Sequence, residues 1–111
     1  RAASDRMYRN LTRNYWDEQG VTQVPPNVRT ASKNGAVDEA RSEVVMVNAP
    51  HGDYVYCITT KNIQDTSWKY DNEAWELFRR VGRTIWQHYE PAGKWKPDPH
   101  GAFSGTVNGT R

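Results

Sequence analysis

The chain has a single cysteine, Cys57, in 111 residues. A lone cysteine excludes an internal disulfide and any cysteine-based metal cluster. No apolar run approaches the length of a membrane span. Hydrophobic residues make up only 36% of the chain, and the mean hydropathy of −0.95 is low for a self-contained core. There is no internal repeat and no low-complexity block. No charge of one sign dominates: the net charge is +2, with acids interspersed among the bases. That spread describes a solvated surface, not a nucleic-acid footprint. No initiator methionine or signal-peptide pattern accompanies Arg1-Ala2-Ala3-Ser4, so the chain reads as an excised or processed piece. Three histidines fall in unlike contexts: His51 in a turn, His88 on a helix and His100 in the tail. No joint metal site and no cofactor is expected.

What the sequence does have is aromatic surface, with five Trp and six Tyr. Rings of this kind supply large contact areas and need partners for their N–H and O–H groups. A domain of this length buries roughly two-thirds of its unfolded surface.

Read in order, Ser4 to Gln19 predicts a first helix. Ser4 or Asp5 would cap it and Gly20 would end it. Met7, Tyr8, Leu11 and Tyr15 form its apolar stripe, and Arg6, Arg9, Arg13 and Asp17 its solvated face. Pro25-Pro26 makes Val21–Asn27 a connector. Val28–Lys33 alternates as a strand ending at Lys33, and Gly35–Glu43 reads as a polar crossover. Val44–Asn48 is apolar on both faces, which predicts a covered central strand. Ala49–Asp53 is turn chemistry, and Tyr54–Thr60 is a third strand in which Cys57 reads as a buried, inert thiol. Strand, short turn and strand imply an antiparallel sheet. After the polar Lys61–Tyr70 loop, Asp71 or Asn72 caps a long helix to about Glu90. Glu73 and Glu76 suit its N-terminal dipole, and Glu76 can pair with Arg80. Its expected buried stripe is Leu77, Phe78, Val81, Ile85 and Tyr89, flanked by Trp75 and Trp86, with Gly82 allowing close packing. Pro91 stops the helix, and Ala92–Arg111 is an irregular tail. The fold class expected is therefore α+β: a three-stranded antiparallel sheet with flanking N- and C-terminal helices.

The run Ala31-Ser32-Lys33-Asn34-Gly35-Ala36 carries the most chemistry. A lysine on a strand followed by a glycine suits a sheet edge where a ligand backbone or carboxylate comes close. Lys-Asn-Gly by itself also matches a common tight turn.

The order of these segments resembles the C-terminal part of the penicillin-recognising serine hydrolases, most closely class A β-lactamases and their relatives. The carriers are Val24-Pro25-Pro26-Asn27-Val28, Ser32-Lys33-Asn34-Gly35, the Arg41–Val47 strand, Gly52–Lys61, and Asn72-Glu73 opening the last helix. The resemblance runs from about Tyr15-Trp16 to Tyr89-Glu90-Pro91, and it implies a segment of the domain over 1–91 and a tail over 92–111. The resemblance implies Lys33 as the catalytic lysine of a Lys-Thr/Ser-Gly motif. Asn34 stands where the family usually has a hydroxyl that holds the substrate carboxylate. Gly35 matches, and Ala36 would lend its N–H to the oxyanion hole. Arg41 lies near the place of a carboxylate-binding arginine, and Glu43 where relatives often have Asp. The substrate implied is a small ester or amide, and the location implied is secreted or periplasmic.

The Ser-x-x-Lys nucleophile motif occurs nowhere: Ser4, Ser32, Ser42, Ser67 and Ser104 all lack a lysine three residues on. The expectation is that the nucleophile lies in a missing N-terminal portion, met as the chain's own other half or as a second chain. The alternative is a non-catalytic protein-interaction module on the same fold. One face of the sheet would then be uncovered, so the chain by itself is expected to be dimeric, aggregated or partly folded.

Overall fold

The structure, a computed structural model, describes residues 1–14 and 18–97. Tyr15, Trp16, Asp17, His100 and Ser104 lie outside the described residues. Helix α1 spans Ala2–Leu11, strand β1 Thr30–Val37, β2 Ala40–Ala49, β3 Gly52–Thr60, and helix α2 Glu73–Tyr89, with a short 3-10 turn at Gly20–Gln23. The three strands form one antiparallel sheet in the order β1-β2-β3. The α+β class and the flanking helices agree with the sequence.

Alternation along β2 sorts the sheet into two faces. Arg41, Glu43, Val45, Val47 and Ala49 are buried, while Val44 between them is 42% exposed. On the buried face, Val45, Val47 and Ala49 meet Val21 and Val24 from the 3-10 turn and its exit, and Trp86 from α2. Tyr54, Tyr56 and Val28 pack against this cluster. Side chains of this size each contribute roughly 1.5–3 kcal/mol when fully buried.

The boundaries correct several expectations. Helix α1 stops at Leu11, not Gln19, and none of its residues is buried; Met7 is 63% exposed. Arg1 holds the N-cap position, so Ser4 and Asp5 fall inside the first turn. Asn14 then turns away to donate to Ser32 O and, at 3.2 Å, to Ser32 Oγ, which ties the chain to β1 instead of continuing the helix. Gly20 ends no helix; it begins the 3-10 turn. Strand β1 runs on to Val37, so Lys33 lies mid-strand, and the supposed crossover is a tight hairpin with Val37 opposite Ala40 around Asp38-Glu39. Strand β2 is covered on one face only. On the other, α1 leaves an apolar groove of about 370 Å³ lined by Met7, Leu11, Val44, Met46 and Val55. Cys57 points to that side and is exposed, not buried.

Asn72 is the cap of α2, its Oδ1 accepting from Ala74 N at 2.9 Å. The buried stripe is Ala74, Trp75, Phe78, Arg79, Gly82 and Trp86. Leu77 and Tyr89 are 43% and 45% exposed, so the helix is rotated from the expected stripe and the tryptophans lie in its centre. A Cβ on Gly82 would meet Gly20 Cα at 3.0 Å, which is the close approach its sequence position suggested. Glu76 pairs with Arg79 at 2.9 Å rather than with Arg80.

Candidate functional site on the Lys33 strand

Strand β1 pairs with β2 along one edge, and no described strand pairs with the other. Lys33 is exposed and faces the α1 side, in register with Val44. Its Nζ donates to Asn34 O at 2.6 Å. Asn34 faces the opposite side, in register with Glu43. Gly35 lies opposite Ser42, whose Oγ would sit 3.2 Å from a Cβ added there.

A cavity of about 600 Å³ opens along this strand. Lys33, Asn34, Gly35 and Ala36 form one wall. Glu18 and Gln19 form a second, and the indoles of Trp68 and Trp75 a third. Four of the five expected site residues are thus brought together.

Arg41 is placed elsewhere. It is 1% exposed, and its guanidinium carbon lies 4.3 Å from the Trp68 ring centroid and 4.7 Å from that of Trp75. Nε donates to Val37 O at 3.0 Å, and Nη2 to Ser67 O at 2.9 Å and Asp38 O at 3.2 Å. This group clamps the β1–β2 turn to the loop before α2 and so holds Trp68 at the cavity. It does not line the cavity itself.

The Glu18-Gln19 wall is held from behind. Glu43 is 2% exposed, and its carboxylate accepts the Gly20 N–H at 3.2 and 3.3 Å. The Tyr56 hydroxyl packs against Gly20; burial, reinforced by the Glu43 charge, pushes this phenol well above its ordinary range. Burial raises the Glu18 carboxyl above its usual value, and Arg79 opposes part of that rise. Arg79 donates to Glu18 O at 3.5 Å and to Tyr70 O.

Sequence reasoning missed Glu18, Gln19 and Trp75 as lining residues. No periodicity marks the first pair, and Trp75 was legible only as a flank of the α2 stripe. Trp68 could be read from the sequence as a loop ring able to stack on a ligand, beside the blander role of sealing the edge of the core.

The site supplies an ammonium, an amide side chain, an open backbone edge next to a glycine, and a raised carboxyl. It holds no activated nucleophile among the described residues: Ser32 is buried, and Ser42 Oγ contacts Gly35 O at 3.5 Å. There is no group of three His, Cys, Asp or Glu residues fit for a metal among the described residues. No described helix is long and apolar enough to cross a membrane.

With β-lactamase-like folds the chain shares a three-stranded antiparallel sheet and a long helix packed on one face. The model of the beta-lactamase enzyme family matches residues 1–89, and the chain belongs to that family. Among solved structures it is similar to PBP-A, with a TM-score of 0.68 and 22% identity over 81% of this chain and 32% of that one. It is also similar to a point mutant of PBP-A determined as an acyl-enzyme complex with penicillin G, with a TM-score of 0.67 and 23% identity over 81% of this chain and 33% of that one. The chain therefore spans about a third of the length of these structures. No curated protein matches the sequence.

Proposed function

We propose that this chain forms one wall of the active site of a β-lactamase-like serine hydrolase acting on a small ester or amide. The segment over 1–91 belongs to the hydrolase domain, and 92–111 is its tail. The observation that carries the reading is the convergence of Lys33, Asn34, Gly35 and Ala36 on one cavity at an open strand edge, in a chain of this family. Lys33 places its positive charge near the substrate carboxylate and the nucleophile. Asn34 and Gly35 receive the substrate along the strand, and the Ala36 N–H stabilises the oxyanion. Arg41 acts on the substrate through the turn and the indoles it clamps. The serine, its lysine partner and the general base come from sequence outside this chain, either an N-terminal part or a second chain, seated near the open face with Val44 and Val55. Secretion or a periplasmic location goes with the same reading.

The complete protein, this chain joined to its preceding segment, is the sample for the test. A fluorescent penicillin is expected to label it covalently, and Lys33→Ala to slow labelling by about 100-fold. No labelling, with Lys33→Ala indistinguishable from wild type, overturns the reading. The absence of a Ser-x-x-Lys in this sequence favours a second reading, a non-catalytic interaction module. In that case no upstream segment carries the motif.

A further inference from the structure

We propose that Trp68 is a stacking platform on the cavity beside the Lys33 strand, and that it selects substrates carrying a neutral aromatic ring. The word substrate rests on the hydrolase reading; the ring-binding surface does not need it.

Trp68 and Trp75 both line the cavity, but they are not alike. Trp75 is 7% exposed and packs edge-to-face on Phe78, with ring centroids 5.6 Å apart. Trp68 is 54% exposed. Two contacts fix its ring all the same. Nε1 donates to Asp38 Oδ1 at 3.1 Å, in the β1–β2 turn. The Arg41 guanidinium lies over the ring, 4.3 Å from its centroid. These contacts occupy the N–H edge and one face. Arg41 is itself 1% exposed, so the face it covers is closed to solvent. The accessible surface of Trp68 is therefore the opposite face and the benzo edge. A ring already held in place binds without the ordering cost that a free side chain incurs.

The charge behind the ring sets the chemistry in front of it. An indole face ordinarily attracts cations. Here a guanidinium already draws on the π density, and Arg41 forms no salt bridge among the described residues. Nε donates to Val37 O, Nη2 to the carbonyls of Asp38, Thr66 and Ser67, and Nη1 is buried without a partner among the described residues. Neutral carbonyls leave the positive charge uncancelled, and arginine stays ionised. A second cation on the far face would meet that charge across the thickness of one ring, with no water between to screen it. The Lys33 ammonium on the strand wall disfavours a cationic ligand further. Glu18 is the acid on this cavity, and the Arg79 charge already acts on it. A neutral aromatic ring escapes the repulsion. It gains offset stacking on a face whose electron density is lowered, and a flat ring brings more atoms into contact than a puckered, saturated one.

The test uses the complete protein and two readouts. In the first, benzyl alcohol, cyclohexylmethanol or benzylamine is titrated while the indole N–H resonances of Trp68 and Trp75 are followed, Trp68 being assigned by its loss in Trp68→Phe. Benzyl alcohol is expected to shift the Trp68 resonance and to bind about three- to tenfold more tightly than cyclohexylmethanol, the margin of an aromatic pair. Benzylamine is expected to bind no more tightly than benzyl alcohol. In the second readout, phenylacetyl and cyclohexylacetyl esters with the same activated leaving group are compared by their rates of acylation. Wild type is expected to prefer the phenylacetyl ester by a similar factor, Trp68→Phe to keep a preference, and Trp68→Leu to lose it. Asp38→Ala, which frees the N–H edge and leaves the ring, is expected to reduce it. The preference is a ratio within each variant, so a general loss of activity does not imitate the effect. Equal binding of benzyl alcohol and cyclohexylmethanol to wild type, tighter binding of benzylamine, or shifts confined to Trp75 overturn the inference, whether or not the variants fold. Equal acylation of wild type by both esters overturns it while leaving the hydrolase reading intact. Selectivity for benzyl alcohol at Trp68 without acylation by either ester supports the platform and counts against the hydrolase reading instead.

Discussion

Gly20 sits where three elements converge. A Cβ there would collide with the Tyr56 hydroxyl and lie 3.0 Å from Glu43 Oε2. Tyr56 cannot swing aside freely, because it packs against the valine and Trp86 cluster. Gly20→Ala is therefore expected to destabilise the protein by roughly 1–3 kcal/mol, the cost of overpacking, read as a lowered midpoint in urea. It should also displace Glu18 and Gln19 from the cavity wall. An unchanged midpoint would show that the turn can move, and that the wall is not pre-formed. In the sequence Gly20 looks like a helix terminator, because a glycine after a helical stretch ordinarily is one. The feature that decides its role is Tyr56, 36 positions further on (56 − 20), a distance over which local patterns carry no signal.

At the scale of elements, the β2–β3 turn is fastened to the end of α2. The Glu90 carboxylate accepts from His51 N at 2.9 Å and lies 2.9 Å from His51 Nδ1, while the His51 ring stacks on Tyr89 at 4.3 Å. The His51 backbone bond above all, then its ring, holds the Glu90 carboxyl below its ordinary value of 4.5. A carboxyl depressed in the folded state contributes stability above that ordinary value, and the contribution disappears as pH falls through the folded value. The melting temperature of wild type should exceed that of Glu90→Gln at neutral pH, and the gap should narrow as pH drops below about 4.5. A gap that does not change between neutral and acid pH would contradict the role given to Glu90. The existence, type and order of the strands and of α2 were legible, because alternation and helical spacing are local properties. The β1–β2 hairpin was not, since Asp38-Glu39 lacks the Asn-Gly or Asp-Gly signal of a tight turn. The rotation of α2 was missed for a similar reason. Leu77 and Tyr89 are apolar enough to suggest a buried stripe, but the partner surface of Gly20, Val45 and Tyr56 selects Trp75, Phe78, Gly82 and Trp86. In the site, Lys33, Asn34, Gly35 and Ala36 were legible because they are contiguous. Glu18 and Trp68 come from distant segments and meet them only in the fold.

For the whole molecule, the sheet is a two-sided object with one finished side. The buried face has valines, tyrosines and Trp86 closed over by the 3-10 turn and α2. The other leaves Val44 and Val55 at 42% and 58% exposed beside a short α1. Strand β1 runs along the boundary between the two, so the cavity and the unfinished face share Lys33. That arrangement suits a wall against which another part of an active site closes, which is the central claim. Its most direct test is the amide of Ala36 in the complete protein, followed by hydrogen exchange before and after acylation by penicillin G. If Ala36 donates to the acyl oxygen, its exchange slows by at least about tenfold on acylation, while the amide of Glu39 in the exposed hairpin turn keeps its rate. Covalent labelling of the protein with no change at Ala36 would contradict the claim.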